Sequence, residues 1–89
     1  MPKQPLFPLG QILATPGALD LCVNFYPYLR RHQCADWGDL GDEDKAENDF
    51  SVENGLRVLS AYHTPDGVKF WIITEANRSA TTVLLPSEY

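Results

Sequence analysis

The last third of the chain alternates between two faces, whereas the first two thirds do not. "LRVLSAYHT", "VKFWIITEA" and "ATTVLLP" are rich in β-branched and aromatic residues and are punctuated by "PDG" and "ANRS". That pattern predicts three strands. Pro65-Asp66-Gly67 suits a three-residue hairpin loop, a type I turn followed by a glycine bulge. Such a turn sets Thr64 against Val68, Leu59 against Ile73 and Arg57 against Glu75. With Asn77-Arg78 at the next tip, Thr74 falls opposite Thr81 and Ile72 opposite Val83. The result is an antiparallel meander of three strands, or four if the N-terminal segment joins it.

Helical punctuation dominates before that point. "FPLGQILATP" mixes Phe7, Leu9, Ile12 and Leu13 with prolines and reads as an extended edge segment. Thr15 and Pro16 supply an N-cap and a first helical residue. Ala18, Leu21, Cys22 and Phe25 follow at helical spacing until Pro27 breaks the pattern near Phe25 or Tyr26. A second short helix is predicted over 27–33. Beyond "ADWGDLG", Asp42 or Asp44 caps a third helix, with Glu47 at the capping-box distance from Asp44. Ala46 and Phe50 form its expected inward stripe, and Asn54-Gly55 stops it. The fold class is therefore α+β. Two or three short N-terminal helices pack on a C-terminal three- to four-stranded antiparallel meander, in one domain of 89 residues.

The strand alternation creates two apolar faces. Val58, Ser60, Tyr62, Phe70, Ile72, Thr74, Thr81 and Val83 share one. Leu59, Ala61, Trp71, Ile73, Thr82 and Leu84 share the other. Three short helices cover one face fully but hardly two. Trp71, Ile73 and Leu84 are thus candidates for self-association as a homodimer. The competing cover is intramolecular, by Leu9, Ile12 and Leu13.

Charge sharpens the picture. The net charge is −5. Asp36, Asp39, Asp42, Glu43, Asp44, Glu47, Asp49 and Glu53 are eight of the twelve acids, opposed within that span only by Lys45. Such a surface repels phosphate backbones, which makes nucleic acid an unlikely partner, and it suits a basic protein instead. Asp39, Asp42, Glu43, Glu47 and Asp49 are the candidate partner-binding residues. Trp37 sits inside this charge and is expected to be at least half buried, pinning the turn while the acids start the helix and face water. No apolar run approaches the ~20 residues of a membrane span. Prolines interrupt "MPKQPLFPLG" where a signal peptide needs a continuous apolar stretch, so a cytoplasmic location is expected.

Chemical motifs are sparse. Cys22 and Cys34 do not make a disulfide framework and read as buried thiols. His32 and His63 leave any metal site short of ligands, and the acidic run lacks the spacing of a calcium loop, so no metal is assigned. There is no phosphate-binding glycine loop or nucleophile elbow, and no cofactor is implied. The alternative to a binding module is a small metal-independent ribonuclease or toxin. In that reading Glu75 acts as base, Arg78 as phosphate clamp and His32 as acid, swinging in from the helical layer. The acidic balance and the loose geometry of that trio favour binding over catalysis.

"FPLGQILATPGAL", "DWGDL-x-x-EDK-x-EN" and "LSAY-x-T-x-x-G-x-K-x-WIITEA-x-RSATTVLLP-x-EY" resemble a family of small uncharacterised bacterial proteins. Some members are labelled plasmid-related and occur among mobile-element genes. The resemblance spans nearly the whole chain and implies no catalytic residues. That context raises both readings: an acidic interaction module, acting as an accessory or inhibitor that docks on a basic host protein, and a small ribonuclease or toxin using the sheet.

Overall fold

The computed structural model describes residues 4–89. Residues 1–3, which open the stretch read as lacking a signal-peptide pattern, lie outside the described residues. The elements run β1 (Gln11–Ala14), α1 (Pro16–Leu19), α2 (Tyr26–Gln33), α3 (Asp42–Asn54), β2 (Val58–His63), β3 (Lys69–Thr74) and β4 (Ala80–Leu84), followed by a 3-10 turn, Pro86–Glu88. The class is α+β, as the pattern predicts.

Both hairpins adopt the register set by their turns. Leu59 faces Ile73, Ile72 faces Val83 and Thr74 faces Thr81. The Thr64 N–H donates to the Val68 carbonyl at 2.9 Å, which closes the three-residue loop. The sheet is nevertheless mixed, in the order β1-β4-β3-β2. β1 lies parallel to β4, with Gln11 beside Ala80 and Ala14 beside Val83. A purely antiparallel meander is thus corrected. The helical turn after β4 also means that helical structure is not confined to the N-terminal side. There the Glu88 carboxylate accepts from the Thr15 hydroxyl at 2.6 Å and the Gly17 N–H at 3.0 Å, tying the C-terminal turn to the start of α1. These contacts lower its pKa, the Thr15 bond most strongly.

Thr15 caps α1 as its sequence predicts, accepting from the Ala18 N–H at 3.2 Å. The helix is a single turn rather than the longer one expected, and the chain leaves it through Cys22 at φ +53. Cys22 is exposed and Cys34 half-buried, and they are not joined, so the expectation that both thiols are buried is corrected. The first sheet face buries Tyr62, Phe70, Ile72 and Val83 against Ala18 and Leu29, flanked by Leu21, Phe25 and Tyr28. A second cluster of Phe7, Trp37 and Val58, with Leu40 and Val52, lies under the acidic turn.

β2 is an edge strand, and its outward backbone groups are all the more important for that. Asn48 of α3 takes both groups of Leu59: its amide donates to the Leu59 carbonyl at 2.6 Å and its oxygen accepts the Leu59 N–H at 3.2 Å. The acidic turn takes the next pair, with Ala61 N–H donating to the Trp37 carbonyl at 3.2 Å and Asp39 N–H to the Ala61 carbonyl at 2.7 Å. Gly38 makes this approach possible, since a methyl group there would overlap the Ala61 carbonyl oxygen, and its φ is +74. Asn48→Ala removes both bonds to Leu59 and leaves a nearly buried edge unsatisfied. The expected loss is about 1–3 kcal/mol, read as a lower midpoint in urea denaturation with the far-ultraviolet circular dichroism unchanged. An unchanged midpoint would mean that Asn48 does not hold this edge.

Candidate functional site

The turn between α2 and α3 is built from the inside outwards. Ala35 at φ +64 reverses the chain after α2, and Asp36 is held by Arg31 in an ion pair at 2.8 Å. Trp37 then turns inward and is 3% exposed. Its indole stacks on Phe7, meets the His32 ring edge-on, and donates its N–H to the Asp49 carboxylate at 3.0 Å. The tryptophan therefore anchors a loop whose acids remain in water. Asp39 follows, its carboxylate 2.6 Å from the His63 ring nitrogen.

α3 presents a different face from the expected one. Asn48 and Ser51 are its buried residues, whereas Ala46 is exposed and Phe50 is 58% exposed. The Ala46–Phe50 inward stripe is thus corrected. Two polar anchors, Asn48 on the β2 edge and Asp49 on the Trp37 indole, set the rotation of a helix with almost no apolar stripe. Gly41 occupies the N-cap with no side-chain bond, so neither Asp42 nor Asp44 caps the helix. The carboxylates of Asp42, Glu43 and Asp44 instead lie in the first turn and complement the helix dipole. Of the five candidate docking acids, Asp49 holds Trp37 and Asp39 faces His63. Asp42, Glu43 and Glu47 are exposed, and among the described residues none is in an ion pair.

Between α3, the acidic turn and the second sheet face lies a groove of about 420 Å³. Asp39, Asp44 and Glu47 supply its acidic wall, Leu59 and Trp71 its apolar floor, and Lys69 a single opposing charge. Asp44 and Glu47, three residues apart, share one side of the helix. This places Trp71 within the acidic site. Ile73 and Leu84, its expected partners in a dimer contact, are only 4% and 5% exposed. The C-terminal turn packs on β3, with Tyr89 meeting Trp71 edge-on at 5.7 Å. Arg57 stacks over Tyr89 and donates to its hydroxyl at 2.6 Å. Of the three residues expected to mediate self-association, only Trp71 keeps accessible surface, and the C-terminal turn packs beside it on β3. Leu9 packs under the other clusters, and Ile12 and Leu13 are exposed.

The alternative catalytic trio is not assembled. His32 is 0% exposed and lies within a chain of hydroxyls. Thr81 donates to the Leu9 carbonyl at 2.7 Å, so it accepts from Thr74 at 2.8 Å. Thr74, its proton spent, accepts from the His32 Nε2–H at 2.9 Å. Nδ1 is then the bare nitrogen and accepts from the Ser60 hydroxyl at 2.5 Å. One backbone carbonyl thus fixes the tautomer of a neutral imidazole. Burial, aided by the positive charge of Arg78, depresses its pKa to about 3. Arg78 donates to the Leu56 and Ser51 carbonyls at 2.6 and 3.2 Å, closing the C-terminal end of α3, and lies over Phe7. Glu75 is exposed. The trio that sequence suggested for RNA cleavage therefore comprises a core imidazole, a helix-end clamp and a surface carboxylate.

No family model, curated protein or solved structure matches the chain. Among the described residues no helix is long and apolar enough to cross a membrane, and no three His, Cys, Asp or Glu side chains gather as a metal-binding group.

Proposed function

We propose that the protein is a small acidic interaction module that docks on a basic protein through the α2–α3 turn and the exposed side of α3. The observation that carries this reading is the groove, where Asp44 and Glu47 stand in water beside an accessible aromatic floor. A solvated helix face needs no such floor, whereas a docking surface gains its desolvated centre from one. The resemblance to plasmid-related bacterial proteins supports an accessory or inhibitor role against a host protein in the cytoplasm.

The exposed acids and the structural ones predict different responses. Glu43→Lys with Glu47→Lys leaves the melting temperature near that of the wild type, because neither carboxylate holds a neighbour. The same change slows association with a mixed lysine/arginine peptide roughly tenfold or more at low salt and flattens its salt dependence. Stopped-flow binding measures both. Equal association rates for the two proteins at every ionic strength would contradict the reading. Asp49→Lys belongs in a separate class, since it removes the acceptor of the Trp37 indole and lowers stability.

A further inference from the structure

We infer that the groove beside Trp71 selects arginine: it takes one guanidinium of the basic partner, stacked on the Trp71 indole and paired with Asp44 and Glu47. The inference rests on the docking reading above and specifies its centre. Three carboxylates against Lys69 leave the groove net negative, so the occupant is cationic. The N-terminal half-charge of α3 opposes a cation there, but the full charges of Asp42, Glu43 and Asp44 outweigh it.

The floor decides which cation. An indole face attracts a flat guanidinium more effectively than a strongly hydrated ammonium, and the guanidinium stays charged at any working pH. Asp44 and Glu47 on one side of the helix offer acceptors to its remaining N–H groups, while Leu59 and the indole cover its aliphatic stem. Tyr89 meets Trp71 in a T-shaped contact at 5.7 Å, with Arg57 over the Tyr89 ring. Aromatic floor, two neighbouring carboxylates and an open groove coincide here.

The test uses the full chain with oligo-arginine and oligo-lysine peptides of equal length, followed by calorimetry and tryptophan emission. Trp37 is buried, so an emission change on binding reports Trp71. The arginine peptide is expected to bind about fivefold more tightly than the lysine peptide, with an emission shift. Trp71→Leu should abolish both the preference and the shift while leaving lysine-peptide binding in place. Glu47→Gln, an exposed change at a side chain that holds no other element, should weaken the arginine peptide more than the lysine peptide. Equal binding of both peptides with no response to either substitution would overturn the arginine site and leave acidic docking standing. Failure of both peptides to bind would overturn the docking reading as well.

Discussion

Lowering the pH from 7 to 5 is expected to destabilise the fold by about 2 kcal/mol through one residue, His32. In the unfolded chain its imidazole takes a proton near pH 6.5, whereas in the fold burial holds the pKa at about 3. Between those values the unfolded state binds the extra proton, so stability is full above pH 6.5 and falls by about 1.4 kcal/mol per pH unit below it. The loss levels off only beneath pH 3. The hydroxyl chain reinforces this, because a protonated Nδ1 would confront the Ser60 proton already aimed at it. For a domain of this size the melting temperature should drop by roughly 10 °C over that interval. His32→Gln should be less stable than the wild type at pH 7 and lose far less between pH 7 and 5. Carboxylates contribute mainly at lower pH; the stability from Glu88, whose pKa is lowered, is lost there as it is protonated. A wild-type melting temperature that is flat from pH 7 to 5 would show that His32 is not a buried neutral group.

Trp37→Ala is expected to cost about 3–5 kcal/mol, the range for deleting a large buried aromatic. Against a total of about 4–13 kcal/mol for 89 residues, that brings the protein close to unfolding. The indole fills the space between Phe7, Val58, Leu40 and Val52, and its N–H fixes Asp49. Its removal also frees the turn from the β2 edge, where the Trp37 carbonyl and Asp39 N–H hold Ala61. Trp37→Phe keeps much of the apolar contact and loses the indole hydrogen bond, so it should cost about 1 kcal/mol beyond the smaller volume. Urea denaturation separates the two variants. An alanine variant as stable as the wild type would return Trp37 to the surface.

The hairpins were legible because two independent signals agree on them. The Pro65-Asp66-Gly67 loop length and the strand alternation give the same register, and a one-residue slip would have turned Tyr62 and Phe70 into solvent. Thr15-Pro16 and Gly55 marked helix ends for equally local reasons. The rotation of α3 was not legible, because periodicity reads apolar stripes and this helix is fixed by Asn48 and Asp49. Hydrogen-bond partners that lie 11 and 12 residues away along the chain, though adjacent in space, leave no trace in the periodicity of the helix. The parallel placement of β1 escaped for a related cause: Gln11–Ala14 is mostly exposed and its partner is chosen by β4 and the Thr15–Val83 backbone bond. His32 and Trp71 both stood out in the sequence, but spacing along the chain did not reveal the neighbours that other elements bring to them. Two hydroxyls, from Ser60 and Thr74, hold the first, and the second joins an acidic wall contributed by a different layer.

The docking claim is tested most directly by calorimetric titration of the oligo-arginine peptide over a range of ionic strengths, comparing the wild type with Asp44→Asn/Glu47→Gln. Both replacements are nearly isosteric, and neither residue holds another element in place, so the comparison isolates charge at the groove. Wild-type affinity is expected to weaken steeply as salt rises, and the variant to bind at least tenfold more weakly at low salt with a shallower slope. Identical affinities and identical slopes for the two proteins would contradict the docking claim.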